Sequence, residues 1–247
     1  MPMHFFDCNL GFGRPINAPA TVIPTARALL DEMDFCGLAE ALVYHVSVHL
    51  ESPQTGNRLT LQHTRDHPRL HPTWAVLPPQ TGELGTVDRF LTDMRAHRVK
   101  ALRAYPEEHR YLLNALTFGS LFEEIVARRI PLIVGPHWPT IAQLLADLPD
   151  LTLIVVGHSD WGDDRYFRPL LERYPRLHID TSNYQTPDGI AELARAYGAE
   201  RILYGSGFPP LQIGGALLTL ARADIADAAK QAIAGENLRR LLGEVNL

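Results

Sequence analysis

Runs of apolar residues alternate along the chain with segments whose apolar residues follow helical spacing. Eight of these runs are apolar on both faces, which is typical of strands buried within a parallel sheet. They cover residues 5–7, 41–47, 70–77, 99–103, 130–135, 151–156, 177–180 and 201–204. Helices are predicted at residues 24–33, 86–95, 121–129, 139–148, 166–174 and 187–196, with a short helix ending near 66–68 and a helical tail over 223–242.

Capping residues and turn residues mark several of the predicted boundaries. Pro24 suits the start of the first helix, and Gly37 can end it. Thr86 is a good N-cap for the helix that follows the third strand. The polar stretch 51–58 predicts a loop before the short helix.

Eight strands alternating with helices predict an α/β fold, namely a closed (β/α)8 TIM barrel with C-terminal helices. A length of 247 residues suits a single domain over 1–247, and we see no linker or repeat array. The first helix is not preceded by a glycine-rich dinucleotide turn, which argues against an open, doubly wound sheet of the Rossmann type.

Composition and charge exclude several classes of partner. The chain is 46% hydrophobic and 21% charged, which is ordinary for a globular protein. A net charge of −5 and the absence of a basic run argue against nucleic-acid binding. No apolar run reaches the ~18–20 residues of a membrane span, and the N-terminus lacks the pattern of a signal peptide. Two cysteines, Cys8 and Cys36, form no disulfide framework, so we expect a cytoplasmic protein.

Two stretches of the sequence carry a family resemblance. The first strand leads into Asp7-Cys8-Asn9-Leu10-Gly11-Phe12-Gly13, and the last leads into Gly205-Ser206-Gly207-Phe208-Pro209. They resemble the amidohydrolase superfamily, in its branch of TIM-barrel hydrolases and decarboxylases. That branch opens with Asp-x-His-x-His-x-Gly and closes with Gly-Ser-Asp-Phe-Pro. Residues 233–243 also resemble the closing segment of the family, so the resemblance covers nearly the whole chain.

The resemblance implies a degenerate metal site. Asn9 and Gly11 stand where the family has its first two histidines, Gly135 where it has a histidine after strand five, and Gly207 where it has an aspartate. Only the histidine after strand six is kept, as His158. Glycine has no ligand atom, and an amide is a poor replacement for imidazole on zinc. We therefore expect no metal and no cofactor at the family's site, although a metal held by other residues near the strand ends stays open.

Three residues near the predicted strand ends are candidates for catalysis: His158, Asp7 and Asp160. His158 follows a buried strand and is the best candidate for a general base. The alternative is a histidine that only bonds to the barrel-mouth backbone. Asp7 is equally suited to a structural role, in which it would bond loop amides.

Eight further residues are candidates for substrate contacts: Asn9, His45, Arg103, Tyr105, His137, Asp180, Tyr184 and Ser206. Arg103 with Tyr105 could hold a carboxylate, because guanidinium offers a bidentate fork and the phenol a further donor. Alternatively, Arg103 could pair with Glu107 or Glu108. His45 could equally be a core histidine, and Ser206 lacks the frame of a nucleophile elbow.

Three functions remain open from the sequence. The first is a metal-independent hydrolase of a small carboxylated ester or lactone, in which His158 activates water and Asp160 or Asp180 orients it. The second is a catalytically silent relative that binds a small molecule or a partner subunit. The third is a hydrolase or decarboxylase with a re-sited metal. In each case we expect a small-molecule ligand and no nucleic acid or membrane, and a homo-oligomer is left open.

Overall fold

Eight parallel strands, hydrogen-bonded in chain order, form the centre of the fold. A computed structural model describes residues 3–14, 23–159 and 162–247. The strands are β1 Phe5–Phe12, β2 Leu38–His45, β3 Leu70–Ala75, β4 Ala101–Ala104, β5 Leu132–Val134, β6 Leu153–Val155, β7 Leu177–Asp180 and β8 Ile202–Leu203. The segment after β8 returns to β1, where the Cys8 amide donates to the Tyr204 carbonyl (2.9 Å) and the Gly11 amide to the Phe208 carbonyl (2.8 Å). The predicted (β/α)8 barrel is confirmed.

Helices surround the strands and continue beyond the last one. They are α1 Ala26–Cys36, α2 Ser47–Leu50, α3 Pro53–Thr64, α4 Val87–Ala96, α5 Ala115–Ala127, α6 Trp138–Asp147, α7 Asp164–Arg173, α8 Gly189–Tyr197, α9 Ile213–Arg222, α10 Asp227–Gln231 and α11 Asn237–Gly243. A π-helical segment, Ala232–Glu236, joins α10 to α11. Among the described residues, no helix combines the length and the apolar character that a membrane span requires.

Local capping chemistry sets several helix ends where the sequence predicts them. The Thr86 hydroxyl accepts from the Arg89 amide at 3.3 Å and begins α4. Gly37 ends α1 in a left-handed conformation, with a φ of 77°, which glycine adopts without steric cost. Both boundaries agree with the sequence prediction.

Several helical segments differ from the prediction: α2 is absent from it, and α5 begins at Ala115 instead of residue 121. The loop predicted over 51–58 is wrong, because α3 begins at Pro53 and the Ser52 hydroxyl caps it by accepting from the Thr55 amide. Helix α9, Ile213–Arg222, is absent from the prediction, since its first turn contains the glycine pair Gly214–Gly215. Glycine is unfavourable within helices, so the sequence gives only a weak signal there.

The barrel interior is filled by one set of side chains and the space beneath the helices by another. The interior cluster contains Phe6, Cys8, Leu42, Ala101, Ile133, Ile154 and Leu203. Leu238, Leu241 and Leu242 of α11 pack against this cluster and cover the N-terminal end of the barrel. The polar residues described below therefore lie toward the opposite end, where the strands finish, which is the end that carries the active site in barrels of this kind.

Candidate functional site

A buried arginine on β4 occupies the centre of the candidate site. Arg103 is 2% exposed, and three neutral oxygens accept from its guanidinium. These are Thr73 Oγ1 at 2.9 Å from Nε, Asn9 Oδ1 at 3.1 Å from Nη1 and the Cys8 carbonyl at 3.1 Å from Nη2. The guanidinium carbon also lies 4.3 Å from the centre of the Tyr44 ring, a favourable cation–π arrangement.

Strand alternation and a bulge bring these groups together. Side chains alternate between the two faces of a strand, and Ala101, two residues before Arg103, belongs to the interior cluster. The register between β1 and β2 shifts between Asp7 and Leu10. Because of this bulge, two consecutive side chains point into the barrel. Cys8 packs in the interior cluster, and Asn9 bonds to Arg103.

Asp7 links the first strand to the loop after the last one. Its Oδ1 accepts from the Asn9 amide at 2.8 Å and from the Ser206 amide at 3.0 Å. Its Oδ2 is buried and has no hydrogen-bond partner in the part of the chain that the structure describes. Burial raises the pKa of the Asp7 carboxyl to about 6, although hydrogen bonds from Ser206 and Asn9 lower it in part. Ser206 itself is fully buried, and its Oγ accepts from the Phe208 amide at 3.2 Å.

His158 is fully buried and bonds to the backbone of β7. Its Nε2 lies 2.8 Å from the carbonyl oxygen of Asp180, and its Nδ1 has no partner among the described residues. A carbonyl only accepts, so Nε2 carries the proton and Nδ1 has a free lone pair in the neutral ring. The rings of Phe167 and Tyr184 lie 5.1 Å and 5.2 Å from the imidazole. The bond to backbone and the free Nδ1 together fit both interpretations that the sequence left open.

Asp180 ends β7 and is a second buried carboxyl. Its Oδ1 accepts from the Gly157 amide at 2.9 Å, and its buried Oδ2 has no hydrogen-bond partner among the described residues. Burial raises the pKa of the Asp180 carboxyl, although nearby His158 lowers it in part. A Cβ at Gly205 would stand 2.5 Å from this Oδ2 and 3.1 Å from the Cys8 sulfur. Glycine at 205 is therefore needed for the close approach of the β8 backbone to the carboxylate.

Two tyrosines complete the polar group at the strand ends. Tyr184 is 2% exposed, and its hydroxyl donates to Asp164 Oδ2 at 3.3 Å. The Tyr105 hydroxyl is buried, and burial raises its pKa, although the nearby Arg103 lowers it in part. The Tyr105 ring lies 5.3 Å from that of His49, at the end of the strand that carries Arg103.

Two of the predicted contact residues lie away from this group. His45 Nδ1 accepts from the Ser47 amide at 3.3 Å, and its ring stacks on His63 of α3 at 5.8 Å. Burial lowers the pKa of His45 to about 4, which fits the alternative of a core histidine. His137 caps α6 at the exposed rim, where its Nδ1 accepts from the Thr140 amide at 3.3 Å. A third candidate, Asp160, lies outside the described residues.

The alternative ion pairs of Arg103 do not form. Glu107 Oε1 lies instead 3.9 Å from His137 Nε2. No carboxylate of the described residues pairs with Arg103. Sequence reasoning missed Tyr44 and Thr73, which contact the guanidinium. The alternation of side chains along a strand could have indicated Tyr44, because it lies two residues after the interior Leu42.

Three of the positions to which the resemblance assigns metal ligands hold an amide that is already engaged, at Asn9, and glycines, at 11 and 207. The Asn9 amide oxygen is engaged by Arg103. A side chain at Gly11 would collide with the Tyr44 ring, whose Cζ lies 2.8 Å from the expected Cβ. Gly207 has a φ of +68°, and a Cβ there would lie 3.0 Å from that of Ser182. Across the described ranges, no three His, Cys, Asp or Glu side chains converge on a position for a metal.

Solved structures share this fold over nearly their whole length. An uncharacterised TIM-barrel protein from Bordetella bronchiseptica has a TM-score of 0.75 at 16% identity, covering 98% of this chain and 99% of that one. The 5-carboxyvanillate decarboxylase LigW from Sphingomonas paucimobilis has a TM-score of 0.74 at 14% identity, covering 99% and 100%. A probable 2-pyrone-4,6-dicarboxylic acid hydrolase from Acinetobacter baumannii, with citric acid bound, has a TM-score of 0.71 at 14% identity, covering 98% and 100%. These identities are low, so the likeness is one of fold.

The sequence itself identifies the family. No curated protein sequence matches the chain. A family model described as amidohydrolase matches residues 19–243, a range that contains seven of the eight strands and begins after β1. The segment with Asp7 and Asn9 lies outside the match, whereas Arg103, His158 and Asp180 lie inside it. The chain therefore belongs to the amidohydrolase family.

Proposed function

We propose that the protein is a metal-independent hydrolase of a small carboxylated ester or lactone, which acts at the C-terminal ends of the barrel strands. The observation that carries this proposal is the Arg103 guanidinium, which is buried and, among the described residues, bonded to neutral oxygens without an ion pair.

A buried cation is costly unless an anion compensates it. Arg103 uses one N–H each on Nε, Nη1 and Nη2, and guanidinium has five. Two N–H groups are therefore left for a ligand. A carboxylate of the substrate supplies the missing negative charge and can accept both bonds. The buried Tyr105 hydroxyl, two residues along, is a further donor for the same group.

Hydrolysis also needs a group that removes a proton from water. His158 Nδ1 has the free lone pair for this, because Nε2 is held by the Asp180 carbonyl. In this proposal the water oxygen forms a bond to the acyl carbon, and the acyl C–O bond breaks. His158 takes the proton of water and returns it to the leaving oxygen. Asp7, with a carboxyl pKa of about 6, is a second proton acceptor near neutral pH.

The names of similar structures agree with a carboxylated substrate. One is a probable hydrolase of a pyrone dicarboxylic acid with citric acid bound, and another is a carboxyvanillate decarboxylase. Each of these proteins is named for a compound that carries a carboxyl group. The hydrolase alternative is favoured here over a metal-dependent decarboxylase, since the family's metal positions hold Asn9, Gly11 and Gly207.

The test is a panel of carboxylated lactones and esters with their neutral methyl-ester counterparts, assayed in the presence of a metal chelator. We expect turnover of a carboxylated member only, with a loss of about 100-fold in His158→Gln and a loss of the carboxylate preference in Arg103→Gln. Arg128→Gln, which removes a half-exposed ion pair with Glu124 on α5, is the matched control. Turnover that the chelator abolishes would point to a re-sited metal. Carboxylate binding without any turnover would point to a catalytically silent relative.

A further inference from the structure

A groove of about 1050 Å³ lies at the N-terminal end of the barrel, opposite the candidate site. Its walls come from α3, from the segment around the end of α4 and from α11, and the starts of β1, β2 and β3 form its floor. The volume is that of a site for a small molecule of cofactor size. All of its lining residues lie within the described ranges.

The groove is strongly basic although the whole chain carries a net charge of −5. Its lining contains six cationic side chains: Arg58, Arg65, Arg95, Arg98, Lys100 and Arg239. Glu40 is the single acidic residue of the lining. This carboxylate is already engaged, because Arg239 Nη2 donates to it at 2.7 Å and His71 Nε2 lies 2.8 Å from it.

Most of the positive charge of the groove has no internal partner. Within the described residues, the side chains of Arg58, Arg65, Arg95 and Arg98 form neither a hydrogen bond nor an ion pair. Lys100 donates to a backbone carbonyl, that of Leu242, at 3.1 Å. Four guanidinium groups from two separate segments, α3 and the end of α4, therefore line one cavity and are free to bind an external anion.

The floor of the groove is apolar. Besides the buried Phe6, Leu70 and Leu242, its apolar lining includes the partly exposed Leu61, Val245 and Leu247 and the exposed Pro68. The Arg239 guanidinium carbon lies 5.4 Å from the Phe6 ring centre. A ligand that consisted of charge alone would leave this floor uncovered. The combination fits a molecule with an apolar ring at one end and several negative oxygens at the other.

We infer that this groove binds a phosphate-bearing small molecule of nucleotide size. Guanidinium matches the geometry of phosphate oxygens in a bidentate way, which makes arginine the preferred residue for phosphate recognition. Several arginines around one cavity suit a polyphosphate better than a single carboxylate. The inference is independent of the proposed hydrolysis, because the groove shares no residue with the candidate site.

Calorimetric titration of the full chain with magnesium-free ATP, inorganic tripolyphosphate and adenosine tests this inference. The groove variant is Arg65→Gln combined with Arg95→Gln, both on exposed arginines. The control is Arg27→Gln combined with Arg195→Gln, two exposed arginines on α1 and α8 that carry the same charge. Thermal unfolding of all variants reports whether each one folds.

We expect ATP to bind the wild type and the control, with an affinity about tenfold or more lower in the groove variant. Tripolyphosphate should compete with ATP but bind more weakly, and adenosine should not bind. Equal ATP affinity in all three proteins, or no ATP binding at all, would overturn the inference. Two other results would also overturn it. One is preferential binding of a polyglutamate peptide, which indicates an acidic protein segment. The other is self-association that the groove variant abolishes, which indicates a second copy of the chain.

Discussion

Nη1 of Arg103 donates to Oδ1 of Asn9 at 3.1 Å, across the barrel interior from β4 to β1. By the resemblance of the opening segment, Asn9 occupies the position of the first histidine of the family motif. The position of the second, Gly11, faces Tyr44, whose ring packs on the same guanidinium. In this chain Asn9 bonds to the Arg103 guanidinium, and the glycine at position 11 leaves room for the Tyr44 ring. This relationship connects the departures in sequence to the function we propose.

The first prediction concerns the charge balance of Arg103. Asn9→Asp places a carboxylate beside the guanidinium, so the cation gains an internal partner and has less need of an external one. We expect the affinity for small carboxylates, measured by calorimetry, to fall by about tenfold. Asn9→Ala is the control, because it removes the hydrogen bond without adding charge and should retain most of the affinity. An Asn9→Asp variant that binds carboxylates as well as the wild type would contradict the role of Arg103.

The second prediction concerns the pH dependence of stability through Asp7. Burial raises its pKa from 3.8 to about 6, so the folded state holds a proton that the unfolded state releases. The stability from this proton is fully present below about pH 4 and is lost as pH rises through about 6. The shift corresponds to about 3 kcal/mol of unfolding free energy.

Asp7→Asn isolates this effect. The asparagine oxygen can still accept from the amides of Asn9 and Ser206, but the side chain no longer titrates. Denaturant unfolding at several pH values should show the wild type losing up to about 3 kcal/mol relative to Asp7→Asn between about pH 4 and pH 7. A difference that stays constant over this range would show that the Asp7 pKa is not raised.

The third prediction concerns the space at Gly11. A Cβ there would stand 2.8 Å from Tyr44 Cζ and 3.0 Å from Pro209 Cδ, so the ring must move. Gly11→Ala should lower the unfolding free energy by about 1–3 kcal/mol, as overpacking does in tight cores. Gly135→Ala is the matched control, since nothing lies within 4 Å of its expected Cβ, and should change stability by less than about 0.5 kcal/mol. Equal effects of the two substitutions would contradict the packing of Tyr44 against β1.

The fourth prediction concerns the tautomer of His158. The Asp180 carbonyl, 2.8 Å from Nε2, requires the proton on that nitrogen in the neutral ring. Nitrogen-15 NMR of labelled protein should therefore show a protonated Nε2 and an unprotonated Nδ1 for this histidine. The opposite tautomer would remove the free lone pair and with it the proposed general base.

The apolar strands of the barrel were predictable because each is buried on both faces. The prediction for β7, residues 177–180, coincides with Leu177–Asp180 in the structure. Helix α3 was not predicted at its start, because its buried face is polar. Thr60 Oγ1 donates to the Gly56 carbonyl at 2.8 Å, and Asn57 exchanges two hydrogen bonds with the backbone of Ala75. A hydrophobic pattern cannot detect a helix that packs through such bonds.

The sequence could predict which residues belong to the candidate site better than it could predict the contacts between them. His45 ends β2 on the opposite face from Tyr44, and the period of the strand could have assigned both. The bulge in β1, which turns Asn9 toward Arg103, leaves no signal in the sequence. For this reason the neutral partners of the guanidinium became visible only in three dimensions.

The most direct measurement is the binding of small carboxylates to chelator-treated protein of known metal content, with wild type and Arg103→Gln compared by calorimetry. The guanidinium, 2% exposed and without an ion pair among the described residues, should bind a carboxylate whether or not metal is present. We therefore expect wild-type affinity to survive chelation and Arg103→Gln to lose it by about 100-fold. Affinity that chelation abolishes, or that Arg103→Gln retains, would contradict the claim that this arginine supplies the charge of the site.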